Sequence, residues 1–352
     1  MNESRNILQD VSISDLKANI REYSNILNSL KNAPEIKKKD LQLTKTAVLQ
    51  MKKEEKRFYL WDKIKESFQS NVYEDAHRLI NLTHKSYEQF KSLTGSQYNT
   101  HKFITSKAIE ILNVQSESAD TLLEYCVFPD SSKSDMSDLI FEGHFYGKIT
   151  SRKYGNFIDS LFPRVAILLE GIKKVTNGFD EDIHEHAVGN FTTNYTHSMN
   201  ADRKLICLGV AAHYLQDLTA PHHAGNYPAV PYVDHYFFEK FASQYLYGQP
   251  NITISKSGYK KFKSQLQSAP AQTEQFAKEI YALAVPYVDY VKRDSYAKLA
   301  DIDKSAAFMD EEIEACNSFL ISGVNKDWTS AIDGAIPIAV YATAYLFESA
   351  LQ

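Results

Sequence analysis

The sequence predicts an all-α protein, a multi-helix domain preceded by a helical N-terminal extension. Apolar residues recur at three- and four-residue spacing along most of its 352 residues. Only "NITIS" (251–255) favours strand, through alternating β-branched residues. No internal repeat or low-complexity tract competes with that pattern.

In chain order, Ile13, Leu16, Ile20, Tyr23, Leu27 and Leu30 form the seam of a first helix. Ser12 and Asp15 offer a cap at its start, and Pro34 ends it. A second helix is expected over 40–69, with Leu41, Val48, Met51 and Phe58 inward, and a third over 71–93. These make residues 1–95 the extension, joined near 94–100 to a domain spanning 96–352. Within it, helices are expected at about 101–113, 153–176, 200–219, 233–247, 272–296, 306–322 and 335–350. Segments 126–140 and 177–199 read as long polar loops, where sites tend to lie.

Hydrophobic content of 43% and charged content of 24% fit a folded chain rather than a disordered one. The net charge of −5 hides an asymmetry, because residues 1–100 carry 17 basic and 13 acidic side chains while 101–352 carry 22 and 31. An acidic body repels polyanions, so no stable nucleic-acid partner is expected. Cys126, Cys207 and Cys316 are scattered and odd in number; they read as buried free thiols, not as a disulfide framework. The N-terminus "MNESRNILQDVSIS" lacks the apolar core of a secretory signal. The longest apolar tract, "AIPIAVYATAYLF", has 13 residues and suits a buried helix, so no transmembrane segment is expected.

The chemistry concentrates in "HYLQDLTAPHHAGN" (213–226). His213 and Asp217 stand four apart on one helical face, where an imidazole and a carboxylate can grip one metal. Asn200 offers this helix a cap, and Gly209 and Ala212 let a neighbour approach. Pro221 ends the helix, and the following loop can return His223 to the same cleft. His235 and Glu239 repeat the four-residue spacing. His101 lies in a first helical turn with Ile104, Ala108 and Ile111 behind it, Asp130 follows Pro129, and His144 comes fourteen residues later. His213 with Asp217 alone reads equally as an ordinary histidine–carboxylate hydrogen bond, the second pair alone as a chance spacing on a surface helix, and Asp130 alone as a turn aspartate. Two pairs bracketing a third histidine point to a metal cluster. Among the other histidines, His222 reads as exposed and His184 and His186 as solvated, while His77, His84 and His197 carry no pattern.

In their order and spacing, "THKFITSKAIEIL", "PDSSKSDMSDLIFEGHF", "HYLQDLTAPHHAGN" and "HYFFE" resemble the bacterial zinc-dependent phospholipase C family over roughly residues 95–352. The resemblance implies an all-helical domain holding three zinc ions in one cleft. Asp130, His144, His213 and Asp217 would hold one zinc, and His223, His235 and Glu239 a second with water. His101 and a bridging Asp217 would belong to the third. In the family, the amino group of an N-terminal tryptophan completes that third site. Here about a hundred residues precede His101, and Trp61 lies forty upstream. Cleavage within about 84–100, a substitute side chain, and a weak or empty third site that leaves two zincs all stay open.

The implied function is hydrolysis of phosphatidylcholine-like glycerophospholipids at a membrane surface to diacylglycerol and a phosphorylated headgroup. A zinc-activated water would attack, with Asp130 as both ligand and general base. Phe141 matches a headgroup-lining position, an ordinary core phenylalanine being the other reading. Related trinuclear-zinc single-strand nucleases share most ligands but end the last pair in aspartate, where this chain has Glu239. Nuclease activity is one alternative, and a metal-stabilised, non-catalytic interaction protein another. The family is secreted; without a signal, export by another route and a cytoplasmic role both remain expectations.

Overall fold

The computed structural model describes residues 99–130, 141–146, 186–227, 234–248, 250–291 and 302–351, together with Ala18, Arg21 and Asn25. Those three isolated positions are helical. The remainder of the extension lies outside the described residues, as do the helix expected over 153–176, Trp61, His77, His84 and His184. The described fold is all-α and contains no strand.

Helix α1 (Thr100–Leu112) starts at Asn99, whose side chain accepts from the Lys102 backbone N–H at 3.2 Å, and ends at Asn113 in the left-handed region. It buries Ile104, Thr105, Ala108 and Ile111, which leaves His101 half-buried on its first turn. Helix α2 (Ser116–Tyr125) leads into a 3-10 turn at Phe128–Asp130, and a second 3-10 turn covers Phe141–His144. After α3 (Ala187–Ser198) comes α4 (Lys204–Asp217), then the one-turn α5 (Pro221–Ala224) and α6 (Asp234–Tyr247). The chain closes with α7 (Lys256–Gln265), α8 (Thr273–Ala284), α9 (Ile302–Ser322) and α10 (Lys326–Leu351).

Helix α4 is the axis. Every residue from Leu208 to Asp217 is buried, as expected for a helix covered on all sides. It packs against α1, α2, α3 and α10. Gly209 permits the α2 contact, because a Cβ there would meet Tyr125 Cβ at 2.7 Å. Helix α10 lies against α1, α4, α7 and α8, burying Trp328, Ile332, Val340 and Phe347. Its apolar tract belongs to a longer element than expected. By length and composition α10 could cross a membrane, but 67% of that apolar window is buried in the fold, as in a core helix.

Several expectations are corrected. The 177–199 region contains α3, because Val188, Phe191 and Tyr195 make a buried stripe. Its Thr192, Asn194 and Thr196 side chains bond back to carbonyls one turn earlier, all at 2.8 Å. "NITIS" pairs with no strand; Ile252 and Ile254 pack on the core, and Ser255 caps α7 by accepting from the Gly258 N–H at 3.1 Å. Asn200 precedes a 3-10 turn (Ala201–Arg203) and makes no side-chain capping bond. Helices α2 and α7 were not foreseen. Cys126 and Cys316 are buried, but Cys207 is half-exposed.

Candidate metal centre

Five elements converge on the C-terminal end of α4. Helix α4 supplies His213 and Asp217, buried to 0% and 1% exposure. Helix α5, opened by Pro221 at its first turn, brings back His223. Helix α6 presents His235 and Glu239 one turn apart, α1 presents His101, and the two 3-10 turns carry Asp130 and His144. The eight residues meet as three donor sets: His101 with His213 and Asp217, Asp130 with His144 and His213, and His223 with His235 and Glu239. Within each set the donor atoms lie within 4.8 Å of one another, close enough to hold a metal ion.

The sets are continuous. Asp217 Oδ2 lies 2.8 Å from His144 Nδ1 and 3.2 Å from His213 Nε2. Its Oδ1 lies 3.5 Å from His101 Nε2 and 3.9 Å from His223 Nδ1. Asp130 spans the same space, with Oδ1 3.5 Å from His213 and Oδ2 3.8 Å from His101. The His101 and His213 rings stack at 4.1 Å.

The rings are held in one tautomer by partners that residue identity does not reveal. His213 Nδ1 donates to the Cys126 carbonyl at 2.8 Å, His223 Nδ1 to the His144 carbonyl at 3.0 Å, and His235 Nδ1 to the Tyr227 carbonyl at 2.7 Å. A carbonyl only accepts, so each neutral ring keeps a bare Nε2. His101 Nδ1 meets Gln216 Oε1 at 2.8 Å. His144 is turned the other way, its Nδ1 2.9 Å from His213 Nε2. Imidazole nitrogens gathered with carboxylate oxygens, with His101, His213, His223 and His235 each anchored at Nδ1, are the donor pattern of a zinc centre, and the residues fit that ion.

Gly209 connects this orientation to packing, since its missing Cβ would also press on Tyr125 C at 3.2 Å and Cys126 N at 3.3 Å. Gly209→Ala should push α2 from α4 and move the Cys126 carbonyl off His213. Expected results are a loss of about 1–3 kcal/mol in the metal-free protein and weaker metal retention. Denaturant titration and zinc counting check both; an unchanged midpoint would show that the helices separate freely.

Burial pushes the His101 imidazole down to about 4, with His213 adding to the effect and Asp217 and Asp130 opposing it. His235 falls well below its usual range through burial, then His222 and His223; burial likewise lowers His223. For His213, burial is outweighed by Asp217 and Asp130, which raise it to about 9. Glu239 is raised to about 8 by burial and then by Asp217 and Asp130. The Asp130 and Asp217 carboxyls are both held down: burial opposes this, and the surrounding histidines overcome it.

His222 is a correction. It is fully buried, its Nε2 bonds Asp234 Oδ2 at 3.0 Å, and its ring stacks on His235 at 4.7 Å, bracing that residue from behind. His186 caps α3 by accepting from the Gly189 N–H at 2.9 Å, and His197 is exposed. The Phe141 side chain lies outside the described residues. Aromatic rings seen against the donors are Phe145, stacked on His223 at 4.8 Å, and Tyr214, 5.3 Å from both His144 and His213. Neither Phe145 nor Gln216 was singled out from sequence; for Gln216 the only signal was its place beside Asp217. A cleft borders His101, Asp217 and Glu239 and is walled by Ile104, Phe238 and Ile336.

A family described as zinc dependent phospholipase C matches residues 100–292. The chain belongs to this family. The match holds all eight donors, whereas α9 and α10 lie beyond it, so it is shorter at its C-terminal end than the resemblance suggested. No curated protein matches the chain. Membership in the zinc-dependent phospholipase C family makes zinc the metal and a phospholipid the class of substrate.

Proposed function

We propose that the chain is a phosphoric diester hydrolase of the phospholipase C type. Its substrates would be phosphatidylcholine-like glycerophospholipids, cleaved to diacylglycerol and a phosphorylated headgroup. The observation that carries this reading is the sharing of donors: His213 belongs to two donor sets, and Asp217 reaches histidines of all but the His235–Glu239 pair. Shared ligands place cations side by side, which suits a phosphodiester carrying charge on two oxygens. Three zincs are proposed, or two if the set containing His101 stays empty.

Bound zinc would acidify a water and draw charge from the phosphoryl oxygens. The chain's residues do the rest. Asp130, with 18% of its side chain exposed and its carboxyl held down by the surrounding histidines, would accept a proton from a neighbouring water. Asp217 holds the rings in register while excluded from solvent. Ile104, Phe238 and Ile336 offer an apolar wall beside the reacting centre, which favours a lipid over a nucleic acid. The acidic body and Glu239 point the same way. In the same reading, residues 1–95 are an extension that regulates or delivers a catalytic domain of 96–352.

Phosphatidylcholine vesicles and heat-denatured DNA separate the readings. Release of phosphocholine that stops with chelator and returns with zinc, with DNA left intact, is expected. DNA hydrolysis without phosphocholine release would favour the single-strand nuclease. A zinc-loaded chain inert on both, and on other phosphoesters, would favour the interaction protein.

A further inference from the structure

We infer that Gln216 is a positioning residue that fixes the tautomer of His101 and so decides whether the donor set of His101, His213 and Asp217 takes its metal. The inference rests on the zinc reading above. Gln216 is 1% exposed and precedes Asp217 in α4. Its amide nitrogen donates to Thr105 Oγ1 on α1 at 3.0 Å and to Thr343 Oγ1 on α10 at 3.3 Å. Both threonines are fully buried. A threonine within a helix commonly gives its hydroxyl hydrogen to the carbonyl one turn back, which leaves the oxygen to accept. The amide oxygen is thereby turned to His101 Nδ1, at 2.8 Å.

This anchor differs in kind from the other three. His213, His223 and His235 are held by backbone carbonyls, which only accept. An amide can turn over. A reversed Gln216 would offer N–H to Nδ1 and move the ring hydrogen to Nε2, the nitrogen that faces Asp130 and Asp217. A hydrogen there occupies the position of the metal-binding lone pair. His101 is also the member this donor set does not share: His213 belongs to a second set, and Asp217 touches His144 of that set. Losing the Nε2 lone pair therefore empties one site and leaves the others. Packing of α1 and α10 against α4 is in this way converted into metal occupancy.

The test compares wild type, Gln216→Leu and Gln216→Glu. Each is loaded with zinc and desalted, and zinc per chain is counted by elemental analysis alongside melts of the metal-free forms. Leucine keeps the bulk but cannot accept; glutamate keeps the shape and only accepts. Q216L should hold one zinc fewer than wild type, and Q216E the full number. A full count in Q216L overturns the inference, as does loss of the same ion from both variants. If Q216L fails to fold, Gln216→Met takes its place: it keeps the length, offers Nδ1 no amide oxygen, and should likewise hold one zinc fewer. A wild-type chain that takes no zinc would sink the zinc reading itself, and this inference with it.

Discussion

Asp217→Asn is expected to lower phosphodiester hydrolysis by about a thousandfold or more and to remove more than one zinc. The substitution conserves shape at a position only 1% exposed, so packing around it should survive. What it removes is the charge on an oxygen pair whose members face different partners: Oδ2 toward His144 and His213, Oδ1 toward His101 and His223. An asparagine turns an N–H₂ toward one side and so repels any cation held there. Asp217 also supports the rings, because His144 Nδ1 sits against its Oδ2 at 2.8 Å. Glu239→Gln should be milder in zinc count, since Asp217 touches His144 of a second donor set in addition to its own, whereas Glu239 pairs with His235 inside one set. Elemental analysis and initial rates on vesicles check the pair. Full zinc and activity within tenfold of wild type in D217N would show that the carboxylate is structural.

The clustering of the candidate donors was legible because helical spacing is a rule about side chains. His213 with Asp217 and His235 with Glu239 must share faces at four residues' separation, and Pro221 had to redirect the chain before His223. The anchors were not legible. The carbonyls of Cys126, His144 and Tyr227 carry no residue signature, and only the folded backbone brings them to Nδ1 atoms. His222 shows the reverse error. Beside a ligand and before a polar loop it resembled a surface residue, yet the α5 turn sends it inward to Asp234. Helix α3 hid behind a run of asparagine and threonine, residues that favour loops until their side chains bond the preceding turn. "NITIS" had the composition of a strand, but a strand needs a partner, and among the described residues none exists.

Between about pH 6.5 and 8.5, the metal-free protein should lose stability while the zinc-loaded protein holds it. In the metal-free fold, His213 is raised from 6.5 to about 9 and Glu239 from 4.5 to about 8. The folded state then holds protons that the unfolded chain has already released. The stabilisation from His213 is complete below about 6.5 and lost as pH approaches 9; that from Glu239 fades between about 4.5 and 8. Together they cost the metal-free fold on the order of a few kcal/mol over this window. Below about 6.5 the balance reverses, because His101, His223 and His235 resist protons that the unfolded chain accepts. Metal-free stability should therefore peak near pH 6.5. Zinc requires the same nitrogens and carboxylates without protons, so raising the pH removes its competitor and tightens binding. Tighter binding offsets what the metal-free fold loses, so the zinc-loaded melting temperature stays nearly level. Melts across this range, with chelator and with excess zinc, should give curves that diverge as pH rises. Glu239→Gln should flatten the alkaline limb of the metal-free curve without abolishing it, since His213 remains. Parallel curves would mean that zinc does not displace protons from these residues, and the donor sets would then not be its binding site.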